Sequence, residues 1–271
     1  MTPDRQELAV NHGQNPRKHG TSDLSPNLLS ARHRALTLRS RLTTCADTEG
    51  IFGRNLSPGK MSGMQVTVID HPLAAERLAI LRATSTPNAE FRQALDGLGG
   101  MLVYEATRHL STNDTEVVTP LGPAPARTLS TVPMLVPILR AGIGLVNPAL
   151  RLIPQAEVGF IGLARNEETF DPHPYLAKLP ARLDGRAIFI LDPMLATGGS
   201  LEYTCRLLIE RGAPQPMTVV CVLAAPEGIE RMRNSGIDVH IVTAAIDSHL
   251  NESAYIVPGL GDAGDRQFGL W

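Results

Sequence analysis

Ala187-Ile188-Phe189-Ile190-Leu191-Asp192-Pro193-Met194-Leu195-Ala196-Thr197-Gly198-Gly199-Ser200 is the stretch that decides the fold. Ala187 to Leu191 is an unbroken apolar run, and a run that buries both faces is what a parallel sheet demands of its strands. Asp192 follows where the strand should end. Thr197-Gly198-Gly199-Ser200 then forms a turn of small residues. Leu201, Cys205, Leu208 and Ile209 recur at helical spacing, and Gly212 stands where a helix C-terminal cap belongs. The segment predicts strand, acid, turn and helix, hence an α/β fold with a mostly parallel sheet.

The same geometry predicts chemistry. Gly198 and Gly199 let backbone approach a ligand without a Cβ in the way. The N–H groups and positive dipole end of the helix favour an anion such as phosphate, and the Thr197 and Ser200 hydroxyls add donors. Asp192, at a strand's carboxyl end, suits sugar hydroxyls, since open α/β sheets bind ligands along that edge. No Lys follows the glycines, so this is not a Walker A loop. A plain strand-to-helix connection capped by Ser200 competes; acid, Thr-Gly-Gly-Ser turn and strand in one segment weigh against it.

Working outward, Val132 to Leu139 predicts another buried strand, followed by Arg140-Ala141-Gly142 and a helix from about Leu145 to Leu152. Arg140 therefore falls on the same sheet edge as Asp192, although a single Arg there is most simply a surface ion pair. Val158 to Leu163 is the next strand. Arg165-Asn166-Glu167-Glu168-Thr169 opens a polar, Pro-containing excursion typical of a functional loop. Strands over Met217–Ala224 and Asp238–Ala245 flank a helix from Pro226 to about Asn234. Upstream, His71-Pro72 opens one helical pattern and Thr86-Pro87 a second, with Thr86 as N-cap, and Gly99-Gly100 marks close helix packing. Thr119 to Ser130 reads as a connection or loose hairpin. Tyr255 to Asp265 holds Gly259, Gly261 and Gly264 and no regular element.

Composition bounds the function. A 271-residue chain with 43% hydrophobic residues can bury a sizeable core in one large or two small domains. The net charge of −2 supplies no basic field for nucleic acid. Cys45, Cys205 and Cys221 form no CxxC pair, and two of them fall in apolar stretches, which predicts buried thiols in a reducing cytoplasm. No apolar run reaches transmembrane length. Residues 1–63 differ from the rest: they carry nine Lys/Arg against five acids, net +4, which leaves −6 for the remainder. They read as a disordered tail, an Arg-rich targeting peptide, or the product of an upstream start with Met61 or Met64 as the true one. The abrupt start of the domain pattern at Met64 favours tail or upstream start, with residues 64–271 as the folded domain.

The Asp192–Ser200 segment resembles the 5-phosphoribosyl-1-pyrophosphate (PRPP) loop of type I phosphoribosyltransferases, in the Asp-Pro-Met form of the uracil phosphoribosyltransferase family. Four further segments agree: Tyr104-Glu105-Ala106-Thr107, Pro137-Ile138-Leu139-Arg140-Ala141-Gly142, Ala224-Ala225-Pro226-Glu227-Gly228, and Tyr255 to Asp265. The resemblance spans Met64 to Trp271. It implies a twisted, mostly parallel sheet flanked by helices, with a flexible arm after Arg165 and a C-terminal base-binding loop.

By the same resemblance, PRPP binds Arg140, Arg165, Asp192, Pro193, Met194, Leu195, Ala196, Thr197, Gly198, Gly199, Ser200 and Asp262, and uracil binds Ile256, Gly261, Asp262 and Ala263. The family places a Tyr or His before the second Arg, where this chain has Ala164. The implied reaction turns uracil and PRPP into UMP and pyrophosphate. Mg²⁺ enters mainly through PRPP, so no protein ligand is assigned to it. Asp192 and Asp262 are only candidates for a catalytic group. GTP is a possible activator, the chain is expected to be a cytoplasmic homo-oligomer, and neither nucleic acid nor a membrane is an expected partner. The alternative is a nucleotide-sensing, RNA-binding regulator on the same fold, which would need a basic face.

Overall fold

A computed structural model describes residues 63–165 and 172–269. The predicted extension over residues 1–63, Cys45 and the polar cluster 166–171 lie outside the described residues, apart from Gly63.

Eight strands form the main sheet. In order across it stand Gln65–Val68, Val239–Thr243, Met217–Val220, Ile188–Leu191, Met134–Leu139, Phe160–Arg165 and Pro172–Lys178, with Glu157–Val158 also paired to Met134–Leu139. All pairings are parallel except that of Pro172–Lys178, which runs antiparallel to Phe160–Arg165. The strand predicted at Ile188–Leu191 lies centrally, buried throughout.

Side-chain alternation then explains the layers. Phe189, Leu191, Leu135, Val220 and Val242 point to one core, while Ile188, Ile190, Val136, Val219 and Ile241 point to the other. Helices α1 (Pro72–Arg82), α2 (Asn88–Ala106) and α3 (Val146–Leu152) cover the first face. Helices α4 (Gly199–Glu210) and α5 (Pro226–Asn234) cover the second through Leu201, Cys205, Leu208, Ile229 and Met232. Burial pushes the Cys205 and Cys221 thiols up to about 12, so both are structural.

Several local expectations shift. The N-cap of α2 is Pro87, not Thr86; the Thr86 hydroxyl instead donates to the Ile80 carbonyl at 2.7 Å. Of the Gly99-Gly100 pair only Gly99 mediates packing, since a Cβ there would lie 2.9 Å from Leu145 Cδ2. The Pro- and Gly-rich stretch is an ordered antiparallel hairpin, Thr112–Thr119 with Gly122–Leu129, longer than the predicted connection. The C-terminal segment is also more regular than predicted. Ile256–Val257 pairs with His249–Leu250, and a short helix, α6 (Ala263–Phe268), follows, with Asp262 capping it by accepting from the Asp265 N–H at 2.8 Å. Among the described residues no helix is long and apolar enough to cross a membrane.

Candidate active site

The carboxyl ends of the central strands open into a cavity of about 210 Å³. Three short parallel strands, Met194–Leu195, Leu223–Ala224 and Ala245–Ile246, continue the sheet beyond that edge. Two walls that are remote in sequence face each other across the cavity.

One wall is the segment that decided the fold. Asp192, Met194, Ala196 and Ser200 line it, with Ile138, Leu139, Arg140, Ala141 and Leu163 from neighbouring strand ends. Asp192 accepts from the Met194 N–H at 3.3 Å, a bond that closes the turn after the strand. Gly198, at φ +79°, stands as N-cap of α4 in the left-handed region that a residue with a Cβ enters only at a cost. Thr197 Oγ1 accepts from the Gly199 N–H at 3.4 Å. The loop thus leads the first turn of a 12-residue helix to the cavity, the arrangement that suits a phosphate.

The opposite wall is C-terminal: Ala254, Tyr255, Ile256, Gly261, Asp262, Ala263 and Gly264. Gly261 has φ +80°. Arg140 reaches toward this wall, its guanidinium donating to Asp265 Oδ1 at 2.9 Å while its side chain stays 48% exposed. A cis peptide joins Leu139 to Arg140. Gln267 of α6 donates to the carbonyls of Ala141 at 3.0 Å and Ala263 at 2.7 Å, tying this wall to the turn that carries Arg140.

Of the sequence-predicted residues, Arg140, Asp192, Met194, Ala196, Ser200, Ile256, Gly261, Asp262 and Ala263 meet around this one cavity. Pro193, Thr197, Gly198 and Gly199 shape the loop without forming the wall. Leu195 turns its side chain into the core, so only its backbone can serve a ligand. Arg165 ends its strand on the same sheet edge, and its side chain lies outside the described residues.

The sequence reading missed Tyr255, Gly264 and Asp265 as site residues, together with Arg82 and Asp247 behind the C-terminal wall. Asp265 carried a faint signal, standing three residues after Asp262 as a capping pattern would place it. Asp247 carried the signal of Asp192, an acid just beyond a strand's carboxyl end. Arg82 carried none, because its partner is 165 residues away.

Among the described residues no three His, Cys, Asp or Glu side chains converge to hold a metal. Among the described residues the carboxylates that line the cavity are Asp192 and Asp262. That set fits a magnesium ion coordinated mainly by substrate oxygens and water, which needs only one or two carboxylates from protein.

Residues 68–270 match the family model described as uracil phosphoribosyltransferase. Proteins named uracil phosphoribosyltransferase from Corynebacterium efficiens and Corynebacterium diphtheriae are 52% and 53% identical over 206 residues, covering 76% of this chain and 97% of each relative. A solved structure of a protein from Aquifex aeolicus is 40% identical, with a TM-score of 0.72, and the match covers 76% of this chain and 99% of that one.

Proposed function

The chain belongs to the uracil phosphoribosyltransferase family, and from that premise we infer how its cavity works. The reaction moves the phosphoribosyl group of PRPP onto uracil and yields UMP and pyrophosphate. The observation that supports a division of labour is that two walls face the same 210 Å³ space, one a glycine turn that leads into a helix start and the other the glycine-containing C-terminal segment.

On this reading the Thr197–Ser200 loop and the start of α4 hold the 5-phosphate. Asp192 accepts from the ribose hydroxyls, and Pro193 to Ala196 set the loop's path. Arg140, with Arg165, meets the pyrophosphate, whose charge grows as the bond to C1 breaks and the ribose gains oxocarbenium character. Magnesium bound with PRPP supplies further positive charge for that leaving group, with Asp192 and Asp262 as the carboxylates in the cavity that would meet its water shell. No covalent link to the protein is required, so much of the rate comes from aiming N1 of uracil at C1.

Uracil offers acceptor, donor and acceptor along its C2, N3 and C4 edge. Backbone N–H, C=O and N–H groups between Ile256 and Ala263 can meet that edge in register. Cytosine presents the opposite groups at N3 and C4 and would leave buried partners unpaired. Asp262 is the candidate to receive the uracil proton.

The family resemblance further implies a cytoplasmic homo-oligomer with GTP as a possible activator; light scattering tests the assembly, and assays with and without GTP test the activation. An RNA-binding regulator has nothing in its favour, since residues 64–271 carry a net charge of −6. A coupled assay with PRPP, Mg²⁺ and each of uracil, cytosine, hypoxanthine and orotate tests the function. Turnover with uracil alone is expected; turnover of another base, or of none, would overturn it.

A further inference from the structure

Among the described residues none before Ile138 lines the cavity, yet helices α1 and α2 are fastened to its C-terminal wall. Arg82, the last residue of α1, grips Asp247 with both ends of its fork, Nη2 to Oδ1 at 2.5 Å and Nη1 to Oδ2 at 2.8 Å. The same Nη1 donates to the Gly259 carbonyl at 2.8 Å, and Asp247 Oδ2 accepts from the Gly259 N–H at 2.8 Å. Both backbone polar groups of Gly259 are therefore held by one ion pair. The Asp247 side chain is 4% exposed and that of Arg82 26%. Burial alone would raise the Asp247 pKa, but the Arg82 and Gly259 donors outweigh it and keep the carboxyl below its usual range.

A second arginine fastens the other end of the segment. Arg266 of α6 donates to the carbonyls of Leu260 at 2.9 Å and Ala83 at 2.6 Å and to that of Leu81. Its guanidinium lies 4.5 Å over the Phe91 ring of α2. Gly261, Asp262, Ala263 and Gly264, the later of the residues with which this wall lines the cavity, are suspended between these two fastenings.

A buried ion pair is a poor device for stability alone, because apolar residues of similar volume serve as well. A planar, bidentate fork instead fixes direction and register. A base read by backbone groups needs that, since the backbone cannot adjust by changing rotamer. We propose that Arg82 and Asp247 are positioning residues for uracil: through Gly259 they set the register of the 260–264 backbone that reads the base, without touching substrate. The proposal rests on the reading of this cavity as the uracil site.

Arg82→Gln, Arg82→Lys and Asp247→Asn, each in the full chain, test it by uracil saturation, PRPP calorimetry and thermal unfolding. Arg82→Gln and Asp247→Asn should raise the uracil Michaelis constant by about tenfold or more, the scale of effect expected from a small misplacement. They should also lower the preference for uracil over cytosine and leave the PRPP Kd within about twofold. Arg82→Lys, which keeps the charge but loses the fork, should fall between these variants and the parent protein.

An unchanged uracil constant in folded Arg82→Gln would overturn the proposal. So would parallel losses for uracil and PRPP, or failure of all three variants to fold, because the network would then support the fold and no more. If the parent protein itself does not use uracil, the reading of the cavity fails. If the parent uses uracil and the variants match it, only the role of Arg82 and Asp247 fails.

Discussion

The two walls of the cavity are built in opposite ways. Most of the wall proposed to hold phosphate is one continuous stretch: a buried strand, Asp192, a glycine turn and the start of α4 follow one another within Ile188–Ser200, joined by Arg140 and its neighbours from adjacent strand ends. Its shape comes from local rules of strand, turn and cap. The base-side wall, Tyr255–Gly264, has little regular structure of its own and takes its position from Arg82, Asp247, Arg266 and Gln267. A wall that binds phosphate through a helix end can be written in a dozen residues. A wall that reads a base through its backbone needs support from distant parts of the chain.

That contrast predicts separable defects. The largest should come from charge on the PRPP side. Arg140→Ala and Arg165→Ala should each lower kcat/KM for PRPP by about 1.5–3 kcal/mol, the range for a hydrogen bond to a charged group. Arg140→Ala should hardly move the melting temperature, because its pair with Asp265 is half exposed and exposed pairs contribute about 0–1 kcal/mol. Unaltered PRPP kinetics in both variants would remove the arginines from the site.

Gly261→Val probes the other wall. At φ +80° the added side chain carries a strain of about 1–2 kcal/mol. Space is not the obstacle, since the nearest atom to a new Cβ is Arg266 Cδ at 3.6 Å. The uracil Michaelis constant should rise about tenfold, with no gain of activity on cytosine, and uracil saturation curves would show it.

A smaller effect should come from the opposite end of the sheet. His109 and His240 approach to 5.8 Å between ring centroids, and His109 stacks on Phe189. Burial lowers the pKa of both; the neighbouring ring adds to this for His240, with Glu105 opposing. A depressed histidine contributes stability that is complete above its unfolded value of about 6.5 and is lost as pH falls through its folded value. Unfolding free energy should therefore fall from pH 7 to pH 5, by less than about 1.4 kcal/mol per pH unit for each group. His240→Gln should flatten the fall, and denaturant titrations at the two pH values would show whether it does. Asp247, also held low, adds its loss only at more acid pH. The smallest effect should follow removal of residues 1–63, which lie wholly before the family match that starts at residue 68: turnover and melting temperature should stay nearly constant.

How far the sequence could be read follows the same division. The parallel sheet, its central strand and the Asp192–Ser200 loop were legible because each is specified by neighbours a few residues apart. Arg140 was legible by position, as a charge just beyond a strand end. Helix α6 was not: its glycines suggested irregular chain, and only the Asp262 cap and the distant contacts of Arg266 and Gln267 make six residues helical. Arg82 with Asp247 was illegible for a plainer reason. Nothing in the periodicity of α1 says that its last side chain crosses to a residue 165 positions away. The hairpin at Thr112–Leu129 was underestimated because its prolines and glycine suggested a loop, whereas register is kept along all eight residues of each strand.

The central claim is that one cavity has a PRPP wall and a uracil wall. The most direct test is PRPP calorimetry and uracil saturation on the same two variants, Arg140→Ala and Gly261→Val. The account predicts a crossed pattern: Arg140→Ala weakens PRPP binding by about tenfold or more with the uracil constant at saturating PRPP little changed, and Gly261→Val does the reverse. If both variants lose PRPP and uracil to the same degree, or if Gly261→Val saturates with uracil normally, the division of the cavity into two walls is wrong.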